Sequence, residues 1–208
     1  MQLSNISNSA KNNPPGLRRL QLPELELLAE ERLKWFERET LTDPFETGRL
    51  DTDLFLENTC EAAGYSLDYV DAPSWREKGH LIYAKTEPFL KRVSVALCKD
   101  IDERSRRHAM AHEAFHVFHD HDFFMAYKEV PGAINPAQTV LDYNANDFAR
   151  IIHLPRALFE EKVRETKSKR RSILSAIDNY STMFGISTMS VKIRLKELNL
   201  ASPEALGL

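Results

Sequence analysis

The chain has 208 residues, a length that fits one medium domain or a catalytic domain with a small appendage. Its hydrophobic content of 42% and charged content of 28% are ordinary for a globular protein and exclude a fibrous or wholly disordered chain. No stretch approaches the roughly 18 apolar residues of a membrane span, and the polar N-terminus lacks a signal-peptide core. With only two cysteines, the composition predicts a cytoplasmic protein with reduced thiols and no membrane partner.

The net charge of −3 is unevenly distributed along the chain. Residues 1–155 carry 18 Lys and Arg against 25 Asp and Glu, whereas residues 156–208 carry 10 against 6. We therefore predict three regions: a polar, disordered tail over residues 1–20, a globular domain over residues 21–155, and a helical, basic extension over residues 156–208.

The first half of the chain predicts two helices followed by a small sheet. Apolar residues at helical spacing predict a helix over residues 23–39 and a second over residues 51–63, which Gly64 ends. Short aromatic or β-branched runs then predict the strands of an antiparallel sheet, at residues 65–70, 80–84 and 92–97.

Two longer helices follow in the second half of the domain. Residues 102–119 are apolar around most of the helix circumference, which predicts a buried helix. Asn135 and Pro136 are an N-cap and a first-position proline, and the helix that they begin stops at Leu154 and Pro155. The sequence therefore predicts an α+β fold with a helical C-terminal extension.

The buried helix contains the motif His112-Glu113-Ala114-Phe115-His116. Residues four apart lie on one face of a helix, so the two imidazoles can converge on one zinc ion. Zinc lowers the pKa of a bound water to about 7, and Glu113 is placed to accept its proton. The motif predicts a zinc hydrolase with His112 and His116 as ligands and Glu113 as the catalytic base; the alternative is a pair of hydrogen-bonded core histidines.

A catalytic zinc usually takes three protein ligands. His119 shares the helix face but lies about 10.5 Å from His112 along a straight helix, which makes it a poor third ligand. Asp142, on the next long helix, is the better candidate, although spacing alone does not distinguish it from a surface carboxylate. The remaining histidines near the motif, His108, His119 and His121, are expected to be structural or to support the ligands by hydrogen bonds rather than to bind the metal. His153 and Tyr143 are weak candidates for oxyanion stabilisation.

Two segments resemble a known family. Residues 107–116 are similar to the active helix of ImmA/IrrE-type zinc metallopeptidases, and residues 142–149, closed by Leu154 and Pro155, are similar to that family's second signature. The resemblance covers roughly residues 60–155 and implies a zincin-like core of a small antiparallel sheet and active-site helices. It also implies three zinc ligands, with Asp142 at the family's glutamate position, while Phe115 stands where the family usually has glycine.

The family resemblance implies a function as well. Its members are typically encoded near a helix-turn-helix repressor, which they inactivate by limited proteolysis to release stress-response or transfer genes. The implied activity is a zinc-dependent endopeptidase of the HExxH type with a protein substrate. An extended substrate is expected to add to the strand at residues 92–97, which most closely precedes the active helix.

Residues 175–200 have some features of a helix-turn-helix, with Gly185 in the turn and a second helix from Thr188. That helix is predicted to expose Lys192, Arg194 and Lys196. Small helical hairpins share this pattern without binding DNA, so direct DNA binding is the less favoured interpretation. The alternative to a peptidase is a DNA- or protein-binding transcriptional regulator with a structural or vestigial zinc site; a hydrolase of non-peptide bonds is a narrower third hypothesis.

Overall fold

The structure, a computed structural model, describes residues 18–70, 75–77, 80–82, 84–96, 102–121 and 136–208. The helices in this part of the chain are α1 (Leu22–Thr40), α2 (Thr52–Ala63), α3 (Glu103–Phe115), α4 (Pro136–His153), α5 (Arg156–Ser168), α6 (Ile177–Phe184), α7 (Thr188–Glu197) and α8 (Pro203–Leu206). The strands are β1 (Ser66–Val70), β2 (Trp75–Glu77), β3 (His80–Ile82), β4 (Ala84–Glu87) and β5 (Arg92–Ala96). The predicted α+β class is confirmed.

The four helices predicted before residue 155 are all present, within one or two residues of the expected ends when the π-helical turn over His116–Asp120 is counted with α3. Local capping explains their bounds: the Asp51 carboxylate accepts a hydrogen bond from the backbone N–H of Leu54 at the start of α2, and Gly64 ends that helix with φ +69°. The expected N-cap Asn135, the end of the third strand at Leu97 and residues 1–17 of the expected disordered tail lie outside the described residues.

The sheet differs from the prediction in one respect, because it is mixed rather than antiparallel. Its strand order is β1-β5-β4; β4 pairs antiparallel with β5, and β1 pairs parallel with β5. β2 and β3 form a separate two-stranded antiparallel pair, so the single strand predicted at residues 80–84 is divided between β3 and β4. The short Pro88–Leu90 3₁₀ turn imposes the antiparallel pairing of β4 and β5. The direction of β1 relative to β5 depends instead on the path of the chain between these two strands. Side-chain alternation carries no information on that path.

Two hydrophobic clusters lie side by side. The first joins α1, α2, α3, α4 and the sheet around fully buried side chains that include Phe36, Phe55, Met110 and Phe148. The second joins α5, α6, α7 and α8 around Phe159, Tyr180, Phe184 and Val191. The first cluster holds α3 and α4 against each other, which fixes the helices that carry the predicted zinc ligands.

The C-terminal helices contain the predicted helix-turn-helix-like pair. Gly185 ends α6 with φ +66°, and the Ser187 hydroxyl accepts a hydrogen bond from the backbone N–H of Ser190 at the start of α7. The prediction that Arg194 is exposed was wrong, because its side chain is fully buried. Arg194 lies three residues after Val191 and shares its inward face.

Buried Arg194 joins the two halves of the molecule. Its guanidinium lies 2.8 Å from the Glu26 carboxylate on α1, and its Nε donates to the carbonyl oxygen of Leu154 at 3.0 Å. Nearby, the Arg150 guanidinium on α4 lies 2.5 Å from the Glu197 carboxylate on α7. The outward surface of α7 is correspondingly poorer in cations than the sequence suggests.

We expect Arg194→Met to destabilise the protein by about 1–3 kcal/mol, because it removes one of the two arginines that pair with the Glu26 carboxylate and leaves the Leu154 carbonyl without its donor. Chemical denaturation measures the change, and Lys196→Met is the control, because Lys196 is exposed on the same helix and its replacement should change stability by less than about 0.5 kcal/mol. Equal effects of the two substitutions would contradict a structural role for the buried pair.

Among the described residues, no helix is long and apolar enough to cross a membrane.

Candidate metal centre

Helix α3 presents His112 and His116 on one face, one turn apart. The Asp102 carboxylate caps the helix by accepting from the backbone N–H of Arg104, and a π-helical turn over His116–Asp120 continues it. The Nε2 atoms of the two histidines lie 2.9 Å apart. The π turn is of interest because such turns are frequent at functional sites.

Helix α4 brings Asp142 to the same point. Its Oδ1 lies 3.6 Å from His116 Nε2, and one ligand atom from each of His112, His116 and Asp142 lies within 4.8 Å of the other two. Zinc bonds of about 2.0–2.2 Å to nitrogen and oxygen place tetrahedral ligand atoms about 3.3–3.6 Å apart. The separation of 3.6 Å between Asp142 and His116 fits this range, and the two Nε2 atoms, 2.9 Å apart, would separate by a few tenths of an ångström around a metal. The structure therefore brings together the three residues predicted as ligands, and they could hold a metal ion.

Outer hydrogen bonds direct both imidazoles toward this point. His116 Nδ1 donates to Asp120 Oδ2 at 2.7 Å, and His112 Nδ1 donates to Asn146 Oδ1 at 3.2 Å. Because each Nδ1 carries the proton, each neutral ring turns an unprotonated Nε2 lone pair toward the other ring. Two facing lone pairs repel unless a cation lies between them, which is the donor chemistry that a zinc site requires.

The electrostatics of the two histidines diverge. Burial, and then the nearby His116, lowers the pKa of His112. Burial also opposes the charged form of His116, but its hydrogen bonds with Asp120 and Asp142 outweigh that effect and raise its pKa. A metal ion binds only the unprotonated Nε2 atoms, so protons compete with the metal at this site and metal affinity should fall as the pH is lowered.

Glu113 occupies a different position from the three candidate ligands. Its side chain is buried, and its Oε2 accepts a hydrogen bond from the backbone N–H of Thr86 on β4 at 2.7 Å. Burial raises the pKa of Glu113, which suits a carboxylate that must both accept and return a proton. The carboxylate thus lies between the active helix and the neighbouring strand.

The other residues considered from the sequence have structural contacts. His119 stacks on Phe115 and donates to Asp120 Oδ1 at 2.7 Å, while His153 is fully buried and donates to the carbonyl oxygen of Arg107 at 3.3 Å. The Tyr143 ring is half exposed and packs under the Arg19 guanidinium. His108 donates to Asn146 at 3.3 Å, and His121 contacts the Tyr65 hydroxyl at 2.7 Å.

Phe115 points away from the candidate metal site. Its ring is fully buried and packs on Phe148, with ring centroids 5.0 Å apart. The bulk at this position, where the resembling family usually has glycine, therefore fills the core between α3 and α4.

Sequence reasoning missed three residues of the site: Asp120, Asn146 and Thr86. Asp120 follows His116 by four residues, and Asn146 follows Asp142 by four, so helical spacing was a usable signal for both. Nothing in the sequence distinguishes Thr86, because its contribution is a backbone N–H at a point where a strand passes the helix.

Asp120→Asn is expected to weaken zinc affinity by about 10–100-fold, because a neutral amide polarises His116 less than a carboxylate does. Competition with a fluorescent chelator measures the affinity of the purified full-length chain. His119→Gln is the matched control, because it removes the contact with the other Asp120 oxygen while His116 keeps its own. Unchanged affinity in Asp120→Asn would show that this carboxylate does not position the histidine.

Comparisons with protein-family models and with curated proteins gave no match. Among solved structures, the chain is similar to a Mycobacterium tuberculosis transcriptional regulator, with a TM-score of 0.52 and 18% sequence identity. The similarity covers 84% of this chain and 47% of the other, so this chain spans about half the length of that protein. At this level of identity the likeness shows a shared fold.

Proposed function

We propose that this chain is a zinc-dependent endopeptidase of the ImmA/IrrE type, with a zincin-like catalytic core. One observation carries the proposal: His112, His116 and Asp142 converge from two helices while Glu113, next to His112 in the sequence, keeps its carboxylate buried beside them. Three ligands and an adjacent base are the protein groups that zinc peptidases require. The two sequence signatures that resemble the family contain all four residues.

The replacement of glutamate by aspartate at position 142 fits this geometry. An aspartate side chain is one methylene shorter than glutamate, so it reaches a common metal only when its helix lies closer. Oδ1 of Asp142 already lies 3.6 Å from His116 Nε2, and the Asp142 side chain is 44% exposed, so its position does not depend on burial in the core. This distance supports Asp142 as the third ligand.

In the proposed mechanism, the bound zinc supplies Lewis acidity, which acidifies a water and polarises the scissile carbonyl. His112, His116 and Asp142 hold the metal, while Asp120 and Asn146 keep the two Nδ1 atoms protonated. Glu113 accepts the proton of the attacking water on a carboxylate oxygen and returns it to the departing amine. The raised pKa of Glu113 favours transfer of the proton to the amine, and the buried position of its carboxylate limits exchange of that proton with solvent.

The substrate-binding strand proposed from the sequence needs correction. β5, at residues 92–96, is the central strand of the sheet, and both of its edges are already paired. Of the described strands in this sheet, β4 is the edge strand beside α3. The Thr86 N–H, which bonds to Glu113, points away from β5, and antiparallel pairing alternates inward and outward groups, so the backbone groups of Ala84 and Thr86 lie on the outer edge. Because Glu113 already uses the Thr86 N–H, an added strand would pair with the Thr86 carbonyl and with the backbone groups of Ala84. We propose that an extended substrate adds there.

The proposed substrate is a helix-turn-helix repressor, which would be cut to release stress-response or transfer genes in the cytoplasm. This part of the proposal rests on the family resemblance. Strand addition requires an extended segment, so a folded repressor must offer a loop or an interdomain linker. Cleavage would then be limited to one or a few sites.

The alternative is a transcriptional regulator that binds DNA or protein and whose metal site is structural or vestigial. Two observations favour it: the helical pair α6 and α7, and the likeness in fold to the Mycobacterium tuberculosis transcriptional regulator. The burial of Arg194 disfavours it, because α7 then offers fewer cations to a DNA groove.

Mass spectrometry of a proteome-derived peptide library incubated with the zinc-loaded chain tests the proposal. New peptide ends that disappear with a chelator and return with added zinc would support an endopeptidase. A chain that binds one zinc but generates no new ends, from the library or from unfolded proteins, would favour the regulator.

A further inference from the structure

The connection between α5 and α6 carries an unusual concentration of positive charge. Four of the five residues 167–171 are cationic: Lys167, Lys169, Arg170 and Arg171, here called the basic turn. All four side chains are exposed, and no carboxylate of the described residues lies within salt-bridge distance of them. No acidic residue occurs between Glu165 and Asp178; Glu165 itself pairs with Lys162 and interacts with Lys169 only at longer range, so the turn keeps a net positive charge.

The basic turn has a defined backbone structure. The N–H of Arg171 donates to the carbonyl oxygen of Thr166 at 3.2 Å, and the N–H of Arg170 donates to that of Lys167 at 2.9 Å. These two bonds are a Schellman motif, which ends α5 and presents the cations in a fixed arrangement. A preformed array loses less conformational entropy on binding than a flexible tail does.

Arg170 occupies the position of this motif that favours glycine. Its φ is +56°, in the left-handed region where a side chain is disfavoured; glycine takes this conformation at Gly64, Gly185 and Gly207, whereas Leu41, Lys91 and Asn199 also adopt it with a side chain. The arginine side chain makes no hydrogen bond or ion pair with the described residues. It therefore adds charge to the turn at some cost in backbone energy.

We propose that the basic turn binds the phosphate backbone of double-stranded DNA without sequence specificity. Arginine and lysine together with exposed serine hydroxyls, here that of Ser172, are the groups that contact phosphate and sugar. The turn offers little to the apolar centre of a protein interface, since Leu174 is the only large apolar side chain exposed between residues 166 and 177. This proposal does not depend on the peptidase activity. It places the DNA-binding surface on the basic turn rather than on α7, where Arg194 is buried and cannot contact DNA.

Fluorescence anisotropy with two unrelated 30-base-pair duplexes tests the proposal on the full-length chain. Four phosphate contacts predict a slope of about −3.6 in log affinity against log salt, or about a 100-fold loss of affinity between 50 and 200 mM. Both duplexes should bind equally. Absence of binding at 50 mM salt, or a marked preference for one duplex, would overturn the proposal.

Three variants locate the binding surface. Arg170→Gln with Arg171→Gln should reduce the magnitude of the salt slope by about 1.8, whereas Lys34→Gln with Arg38→Gln, the same charge change on α1, should leave it unchanged. Arg170→Gly should reduce the magnitude by about 0.9 while the melting temperature stays equal or rises, because glycine suits the left-handed position. Equal effects of the two double variants would assign the binding to the general charge of the protein and overturn the proposal. Displacement of the DNA by poly-glutamate of equal charge would indicate an acidic protein partner and would also overturn it.

Discussion

Glu113→Gln is expected to retain about one zinc per chain and to reduce peptide cleavage by about 10²–10⁴-fold. Glutamine has nearly the same size and can still accept the hydrogen bond from the backbone N–H of Thr86, so the local structure should persist. It cannot accept a proton from the attacking water or return one to the amine. The substitution therefore removes the chemistry and leaves the metal site intact.

The measurement combines elemental analysis with the rate of appearance of new peptide ends from the library. Glu61→Gln is the matched control, because Glu61 is an exposed glutamate on α2 and is not one of the proposed site residues. Its cleavage rate should equal that of the parent. Full activity in Glu113→Gln would exclude this residue as the base and, with it, the proposed mechanism.

Asp142→Ala is expected to lower zinc content from about one per chain to well below it, because two imidazoles alone do not complete a catalytic zinc site. The fold should survive, since the Asp142 side chain is 44% exposed. Circular dichroism should therefore match the parent. Asp147→Ala, on the same helix, is the control and should keep its zinc; Asp147 pairs with Arg150 and Arg19 rather than with the histidines.

Asp142→Glu restores the residue type that the resembling family has at this position. If the backbone separation of α3 and α4 is adapted to aspartate, the longer side chain should bind zinc more weakly than the parent but more tightly than Asp142→Ala. Zinc retained by Asp142→Ala at the parent's level would show that Asp142 is not a ligand. The assignment of three zinc ligands would then be wrong, even if Glu113 proved essential for cleavage.

The helices and most of the candidate site could be predicted because they depend on local patterns. Helical spacing places His112 and His116 on one face, and the second signature identifies Asp142 on the next long helix. The parallel pairing of β1 and the edge position of β4 could not be predicted, because both depend on the path of the chain between strands. Thr86 was missed for the same reason.

The burial of Arg194 could not be predicted for a different reason. Cations in a predicted surface helix are normally assigned to solvent, since burial of an unpaired charge is costly. Here the partner, Glu26, is 168 residues away in the sequence, and the two meet because α4 packs against both α1 and α7. The spacing from Val191 indicated the inward face, but the counter-charge that permits burial could not be seen locally.

The outer edge of β4, proposed to receive substrate, has a consequence for self-association. A strand edge with unsatisfied backbone groups pairs as readily with another copy of the same protein, and long, flat, apolar edges aggregate. β4 has four residues, an exposed lysine at Lys85, and Pro88 directly after its end. Short length, charge and a terminal proline are features that limit permanent edge pairing. The strand is thus suited to brief contact with a visiting chain and resists the formation of a continuous intermolecular sheet.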